Sequence, residues 1–383
     1  MIPLNRRPRV VISILNCNGW EDTLECLESV RRLDYPNYLA VVVDNGSWND
    51  SADKIKAWAE ANLGPGHVIA DYTRETALAG GDAEVEKALN VAASSARMVL
   101  IRNEDNLGFT GGNNVSIHYA LRRGTPAEYV FLLNNDARPE HDCLGHLVSA
   151  MQVKSVGIAG ALILDCLTGE VVHLAPDKED ALLGEFFSPF ISNPTPDVER
   201  KGTCWTSFWA CGAAVLIRAD LLRYVHKAAG RYLDERLYLY GDEMEFSHVA
   251  RSVGYLTVTV KPARVYHEDS SSSGGAKNPL VWYYRTRNSV LLAQRLLPVR
   301  WRLLFHPVNT ALSMFRTARK LLQGQSGIAF AIASGTADGY RGVTGRWKKH
   351  DSVVKNLLAS RRVAALAEPS PTAKPECQRG AAK

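Results

Sequence analysis

The chain has 383 residues, 46% hydrophobic and 22% charged, with a formal net charge of +5 at pH 7. This composition suits a soluble globular protein of one large or two medium domains. It excludes a membrane-spanning chain, because no run approaches the roughly 18 apolar residues a spanning helix needs, and a Cys-x-x-Cys metal knuckle, because the seven cysteines are scattered.

Residues 10–15, short and rich in β-branched side chains, predict a buried strand that is broken by Asn16-Cys17-Asn18-Gly19. Residues 22–33 carry apolar positions at helical spacing and end before Tyr35-Pro36. A second strand over 39–43 is stopped by Asp44-Asn45-Gly46-Ser47, and a helix over 55–63 is closed by Gly64-Pro65-Gly66. This β-α-β-α order calls for a parallel sheet with right-handed crossovers. Residues 64–95, rich in Ala, Gly and acids, read as a less regular insertion over the sheet edge. Strands follow at 98–101 and 129–133, with a helix over 111–123 between them. Strand-like runs then fall at 156–164, 213–217, 256–260 and 263–266, with a polar stretch at 176–201. Beyond Pro279 the pattern turns helical and basic, with 12 Lys/Arg and one acid, Asp338, between residues 285 and 350. That imbalance suggests a surface facing phospholipid or a phosphorylated substrate. From about residue 363 the tail has a disordered composition. The expected division is therefore 1–275, 276–362 and 363–383, and with no signal peptide visible the expected location is cytoplasmic.

Five places carry candidate chemistry. Asp44, at the end of the second strand, is positioned to accept hydrogen bonds from a ribose or base, although an Asp before Asn-Gly also makes an ordinary turn. The first loop lacks Gly-x-Gly-x-x-Gly and no Walker A motif is present, which disfavours a dinucleotide-binding dehydrogenase and a P-loop enzyme. Asn106-Leu-Gly108-Phe-Thr-Gly-Gly112-Asn113-Asn114 reads as a loop that opens a helix and lets backbone N–H groups approach a polar ligand. Asn134-Asn135-Asp136 ends a buried strand with a carboxylate, a place for a divalent cation shared with substrate phosphates. Asp242, Glu243 and Glu245 gather in what reads as the first turn of a helix, where a general base or plain dipole stabilisation would put them. His267 follows another strand and precedes Glu268-Asp269.

The order of these segments, over roughly residues 9–297, resembles the inverting family 2 glycosyltransferases of the GT-A fold, and more narrowly the rhamnosyltransferase-type members that build bacterial polysaccharides. The resemblance implies an α/β fold with a mostly parallel central sheet flanked by helices. It implies a hexosyl-type transfer from a nucleoside-diphosphate sugar, dTDP- or UDP-linked, to a saccharide or lipid-linked acceptor, with Mg²⁺ or Mn²⁺. It implies no nucleic-acid partner. The basic C-terminal helices, at residues 301–305 and 316–322, predict peripheral contact with the inner face of an anionic membrane. The implied nucleotide-sugar residues are Asn16, Asn18, Asp44, Asn106, Gly108, Gly112, Asn113 and Asn135. Asp136 and His267 fall at the metal positions, Glu243 with Asp242 at the base, and Gly212, Ala213, Arg285 and Arg287 on the acceptor side, the two arginines placed to pair with phosphates of donor or acceptor or to make surface salt bridges. Two departures stand out: Asn134 replaces the first acid of Asp-x-Asp, and Glu243 replaces an Asp. These favour, as an alternative, a non-catalytic sugar-nucleotide-binding protein of the same fold. A sugar-1-phosphate nucleotidyltransferase is disfavoured, since residues 16–19 offer no Gly- and Arg/Lys-rich loop for a triphosphate.

Overall fold

The computed structural model describes residues 7–173, 202–268, 278–349 and 352–353. The chain opens with β1 (Val10–Asn16), α1 (Trp20–Arg31), β2 (Tyr38–Asn45) and α2 (Ser51–Asn62). All of β2 and all but one residue of β1 are buried. Strands covered by helices on both faces have no wet side, which is why they read as unbroken apolar runs.

β3 (Val68–Thr73), α3 (Arg74–Ala79), α4 (Ala83–Val91) and β4 (Arg97–Asn103) follow. Residues 64–95 are thus more regular than expected: β3 lies parallel to β4 as the edge strand of the sheet. Two of the polar residues there are helix caps. Thr73 Oγ1 accepts from the N–H of Thr76, and Asp82 Oδ1 accepts from those of Glu84 and Val85.

The chain continues through α5 (Gly108–Arg122), β5 (Tyr129–Asn134), β6 (Ala137–Pro139), α6 (Cys143–Ala150), β7 (Val156–Asp165) and β8 (Val171–His173). It resumes with β9 (Cys204–Ser207), β10 (Ala214–Arg218), α7 (Ala219–Ala229), α8 (Asp242–Ser252) and β11 (Leu256–His267). The two runs at 256–260 and 263–266 are one strand, β11, whose register against β7 shifts between Val260 and Arg264.

The strands form one sheet in the order β3-β4-β2-β1-β5-β10-β7-β11-β6, with β8 on β7 and β9 on β11. From β3 to β5 all pairings are parallel; β10 runs antiparallel to both β5 and β7, and β6 antiparallel to β11. The fold is therefore mixed α/β, a central sheet between two helical layers with a separate apolar core on each face. Register then sets the site. Asn16 stands opposite Asp44, Leu15 opposite Asn134, and His267 opposite Ala137, the residue after Asp136.

Three helices close the described chain: α9 (Pro279–Leu296), α10 (Val299–Leu322) and α11 (Ser326–Tyr340). Asn278 caps α9 by accepting from the Leu280 N–H. α11 lies so close to α9 that a Cβ on Gly335 would stand 2.6 Å from the Tyr283 carbonyl oxygen. The polar stretch at 176–201 and the tail from 363 lie outside the described residues.

Candidate active site

One wall of the site is the carboxyl edge of the parallel strands. Asn16, fully buried, donates from Nδ2 to Asp44 Oδ1 at 2.6 Å and to Ser47 Oγ at 3.2 Å. Its Oδ1 accepts from Thr23 Oγ1 at 3.0 Å and from the Gly19 N–H at 3.2 Å. Asn135 Nδ2 joins the network by donating to Thr23 Oγ1 and the Gly19 carbonyl, both at 3.2 Å. A chain of amides and hydroxyls therefore fixes Asp44 relative to the end of β5. Asn18, in the left-handed region at φ 60°, accepts from the Trp48 N–H at 2.9 Å and so ties the first loop to the second. Cys17 lies in the same loop; burial, then Asp44, pushes its thiol up to about 11, which leaves it protonated and inert at neutral pH.

Asn45 was not singled out from sequence, yet it organises the next layer. Its Nδ2 donates to Asn106 Oδ1 and to the Gly108 carbonyl, while its Oδ1 accepts from Asn103 Nδ2 and the Leu107 N–H, all at 3.1 Å. Its only sequence signal was its place beside Asp44. Asn106 also accepts from the Tyr238 hydroxyl at 3.2 Å. Gly108, at φ +75°, lies so close to Tyr238 that a Cβ would stand 2.5 Å from its carbonyl oxygen. The supposed loop is largely helix, since α5 starts at Gly108. Gly112 and Asn113 face the sheet rather than its open edge. A Cβ on Gly112 would lie 2.4 Å from Leu15 Cδ1. Asn113 accepts from Ser13 Oγ and donates to the Phe109 carbonyl, both at 3.0 Å. Gly and Asn read as loop formers, whereas here they let a helix pack tightly on β1.

Asp136 sits just past β5, buried, with Oδ1 3.0 Å from His267 Nε2 at the end of β11. Asn134 Nδ2 is 3.5 Å from the same imidazole nitrogen. The Asp136 carboxylate is a donor of the kind Mg²⁺ or Mn²⁺ takes together with phosphate oxygens and water, whereas the His267 imidazole is a softer donor. Among the described residues no three His, Cys, Asp or Glu side chains group to hold a metal ion by themselves.

The second wall is the first turn of α8. Asp242 is buried and Glu243 half-exposed. Burial, then the charge and hydrogen bond of Glu243, raises the Asp242 carboxyl well above its ordinary 3.8. The two side chains are hydrogen-bonded, and Glu243 is the more accessible of the pair. Both line a void of about 20 Å³ together with Phe109, Leu132 and Gly212. Gly212 and Ala213 connect the walls, because the Asn134 N–H donates to the Ala213 carbonyl at 2.9 Å.

What holds this second wall is a side-chain clamp from α9. Tyr238 and Tyr240, both at φ 66°, and Gly241 at φ 85° form a left-handed approach to α8. Asn288 Nδ2 donates to the carbonyls of Leu237, Leu239 and Tyr240 at 3.0, 2.8 and 2.8 Å. Arg287, fully buried, donates to the carbonyls of Leu237 at 2.7 Å and Gly345 at 2.5 Å. The expectation of Arg287 as a phosphate ligand is therefore corrected: its guanidinium holds backbone carbonyls and packs on Tyr284. Arg285 is exposed, 5.0 Å from the Tyr240 ring centre, and remains near the second wall.

Residues 9–81 match the family described as "Glycosyl transferase family 2". No curated protein matches the chain by sequence. Among solved structures, a mannosyltransferase from Pyrobaculum calidifontis in complex with GDP-Man and Mn²⁺ is similar at 15% identity and a TM-score of 0.49, covering 94% of this chain and 81% of that one. S. aureus TarS is similar at 13% identity and a TM-score of 0.45, covering 82% of this chain and 43% of that one.

Proposed function

We propose that the protein is a glycosyltransferase that moves a sugar from a nucleoside-diphosphate donor to an acceptor hydroxyl with inversion. The observation that carries this reading is the pairing of a strand-edge wall, Asp44 with the Asp136–His267 pair, and a proton-sharing carboxyl pair, Asp242–Glu243, linked through Gly212–Ala213. Asp44 and Asn18 bind and orient the nucleoside. Asp136 and His267 would hold Mg²⁺ or Mn²⁺, which would supply charge neutralisation for the diphosphate leaving group. Glu243 accepts the acceptor hydroxyl proton as that oxygen attacks the anomeric carbon, and the bond to the diphosphate breaks in the same displacement. Asp242, hydrogen-bonded to Glu243, orients it. Rhamnose as the sugar and dTDP or UDP as the carrier rest on the sequence resemblance.

A panel of nucleotide sugars tested by thermal stabilisation, with and without Mn²⁺, examines this reading. Metal-dependent stabilisation by at least one donor supports it; no stabilisation by any donor or by free nucleoside diphosphates counters it. The rival of a non-catalytic binding protein, favoured by Asn134 and Glu243, predicts stabilisation without turnover.

A further inference from the structure

Glu245 is the acid of the α8 first turn to which the reaction above gives no task. It is 4% exposed, too deep to meet a substrate. It follows Asp242 by three residues and therefore shares its helical face, one turn below. Its Oε1 accepts from Arg231 Nη2 at 2.7 Å. Arg231 comes directly after Gly230, which ends α7 in the left-handed region at φ 68° and so turns the chain out of that helix. Glu245 Oε2 and Arg231 Nη1 are buried and find no hydrogen-bond partner among the described residues. Each charge of this pair therefore depends on the other.

The other cations of this wall are engaged elsewhere. Asp234, 1% exposed, accepts from Arg236 Nε and Nη2, both at 2.8 Å, and from Arg295 Nη1 of α9 at 2.6 Å, while Arg231 stands 3.8 Å from it. On α9, Arg285 lies over the Tyr240 ring and Arg287 holds carbonyls; on α8, Arg251 donates to the Phe208 carbonyl. Burial, then Arg251, pushes His248 of α8 below its ordinary 6.5, so it carries little charge at neutral pH. From the sheet and α5, apolar Leu132, Val215 and Phe109 line the void beside the carboxyl pair. After burial and Glu243, the Glu245 charge adds to the rise of the Asp242 carboxyl. We propose that Arg231 is a positioning residue for the general base: its ion pair with Glu245 fixes the first turn of α8 and neutralises the carboxylate beneath Asp242, which keeps Glu243 free to take a proton. The catalytic part of this role rests on the sugar-transfer reading; the charge coupling does not.

Arg231→Gln, Arg231→Lys and Glu245→Gln in the full-length protein test this, with thermal unfolding to show that each is folded. Two quantities are followed against pH. One is the release of nucleoside diphosphate from dTDP-rhamnose or UDP-glucose with Mn²⁺. The other is labelling of Glu243 by a water-soluble carbodiimide with glycine ethyl ester, located by fragment mass spectrometry. Arg231→Gln is expected to move the acid limb of kcat and the labelling midpoint up by about one pH unit, about tenfold in proton affinity. Glu245→Gln should move both down, and Arg231→Lys, which keeps the charge, should leave both near wild type. A merely structural pair would lower kcat in all three variants and move neither quantity. Shifts of the same sign in Arg231→Gln and Glu245→Gln, or no shift, overturn the proposal. Labelling midpoints that shift as expected in a protein that turns over neither donor overturn the catalytic part alone, so failure of the coupling and failure of the sugar-transfer reading are read separately.

Discussion

The two walls of the site are built by different means. The strand-edge wall is set by sheet register: Asn16, Asp44 and Asn134 stand side by side because β1, β2 and β5 are hydrogen-bonded in parallel. The carboxyl-pair wall hangs on a left-handed approach at Tyr238, Tyr240 and Gly241, which Asn288 and Arg287 hold from a helix some fifty residues further along the chain. A wall made by register tolerates local change, whereas a wall made by a side-chain clamp can be lost by removing one amide.

On the strand-edge wall the largest effect should come at the metal pair. Asp136→Ala is expected to lower turnover by about 10²–10³-fold by removing stabilisation of the leaving group's charge, and steady-state rates across a Mn²⁺ titration check it; undiminished Mn²⁺-dependent rates would remove Asp136 from that role. Next is Asn288→Ala, which takes the side-chain donor from the Leu239 and Tyr240 carbonyls and leaves the Leu237 carbonyl to Arg287 alone. It should destabilise the protein by about 1–3 kcal/mol and reduce kcat with donor affinity retained, as chemical denaturation and donor titration would show. Equal losses in kcat and donor affinity would erase the proposed separation of the walls.

Asp44→Asn should weaken donor binding by about tenfold, the equivalent of roughly 1.4 kcal/mol, with little change in kcat, measured by calorimetric titration of nucleoside diphosphate. The smallest effect concerns pH. The Asp242 carboxyl is raised on folding, so its contribution to stability is complete below its unfolded value of 3.8 and is lost as pH rises toward the folded value. Asp242→Asn removes that loss, so its melting temperature should gain on wild type from pH 4 to pH 7. A constant difference across that range would contradict a proton held on Asp242.

This contrast also explains what could be read from sequence. The strand-edge residues were legible because a buried strand announces itself by composition and its end by the first polar residues, Asp44 and Asn134 to Asp136. The first turn of α8 was legible from its acids. The clamp was not, because nothing in local composition marks two tyrosines as left-handed, and Arg287 looked like an anion ligand until its burial showed that it holds carbonyls. Gly112 and Asn113 misled for a related reason: their weak helix propensity hid a close helix–sheet contact that only Gly permits. Residues 64–95 were misjudged because capping acids and alanines resemble an irregular stretch when no partner strand is in view.

Glu243→Gln tests the central claim most directly, with donor affinity and nucleoside-diphosphate release measured on the same preparation in the presence of Mn²⁺. The expected result is wild-type donor affinity with turnover reduced by about 10²–10⁴-fold, the range for loss of a general base. Wild-type release of nucleoside diphosphate by that variant would contradict the account.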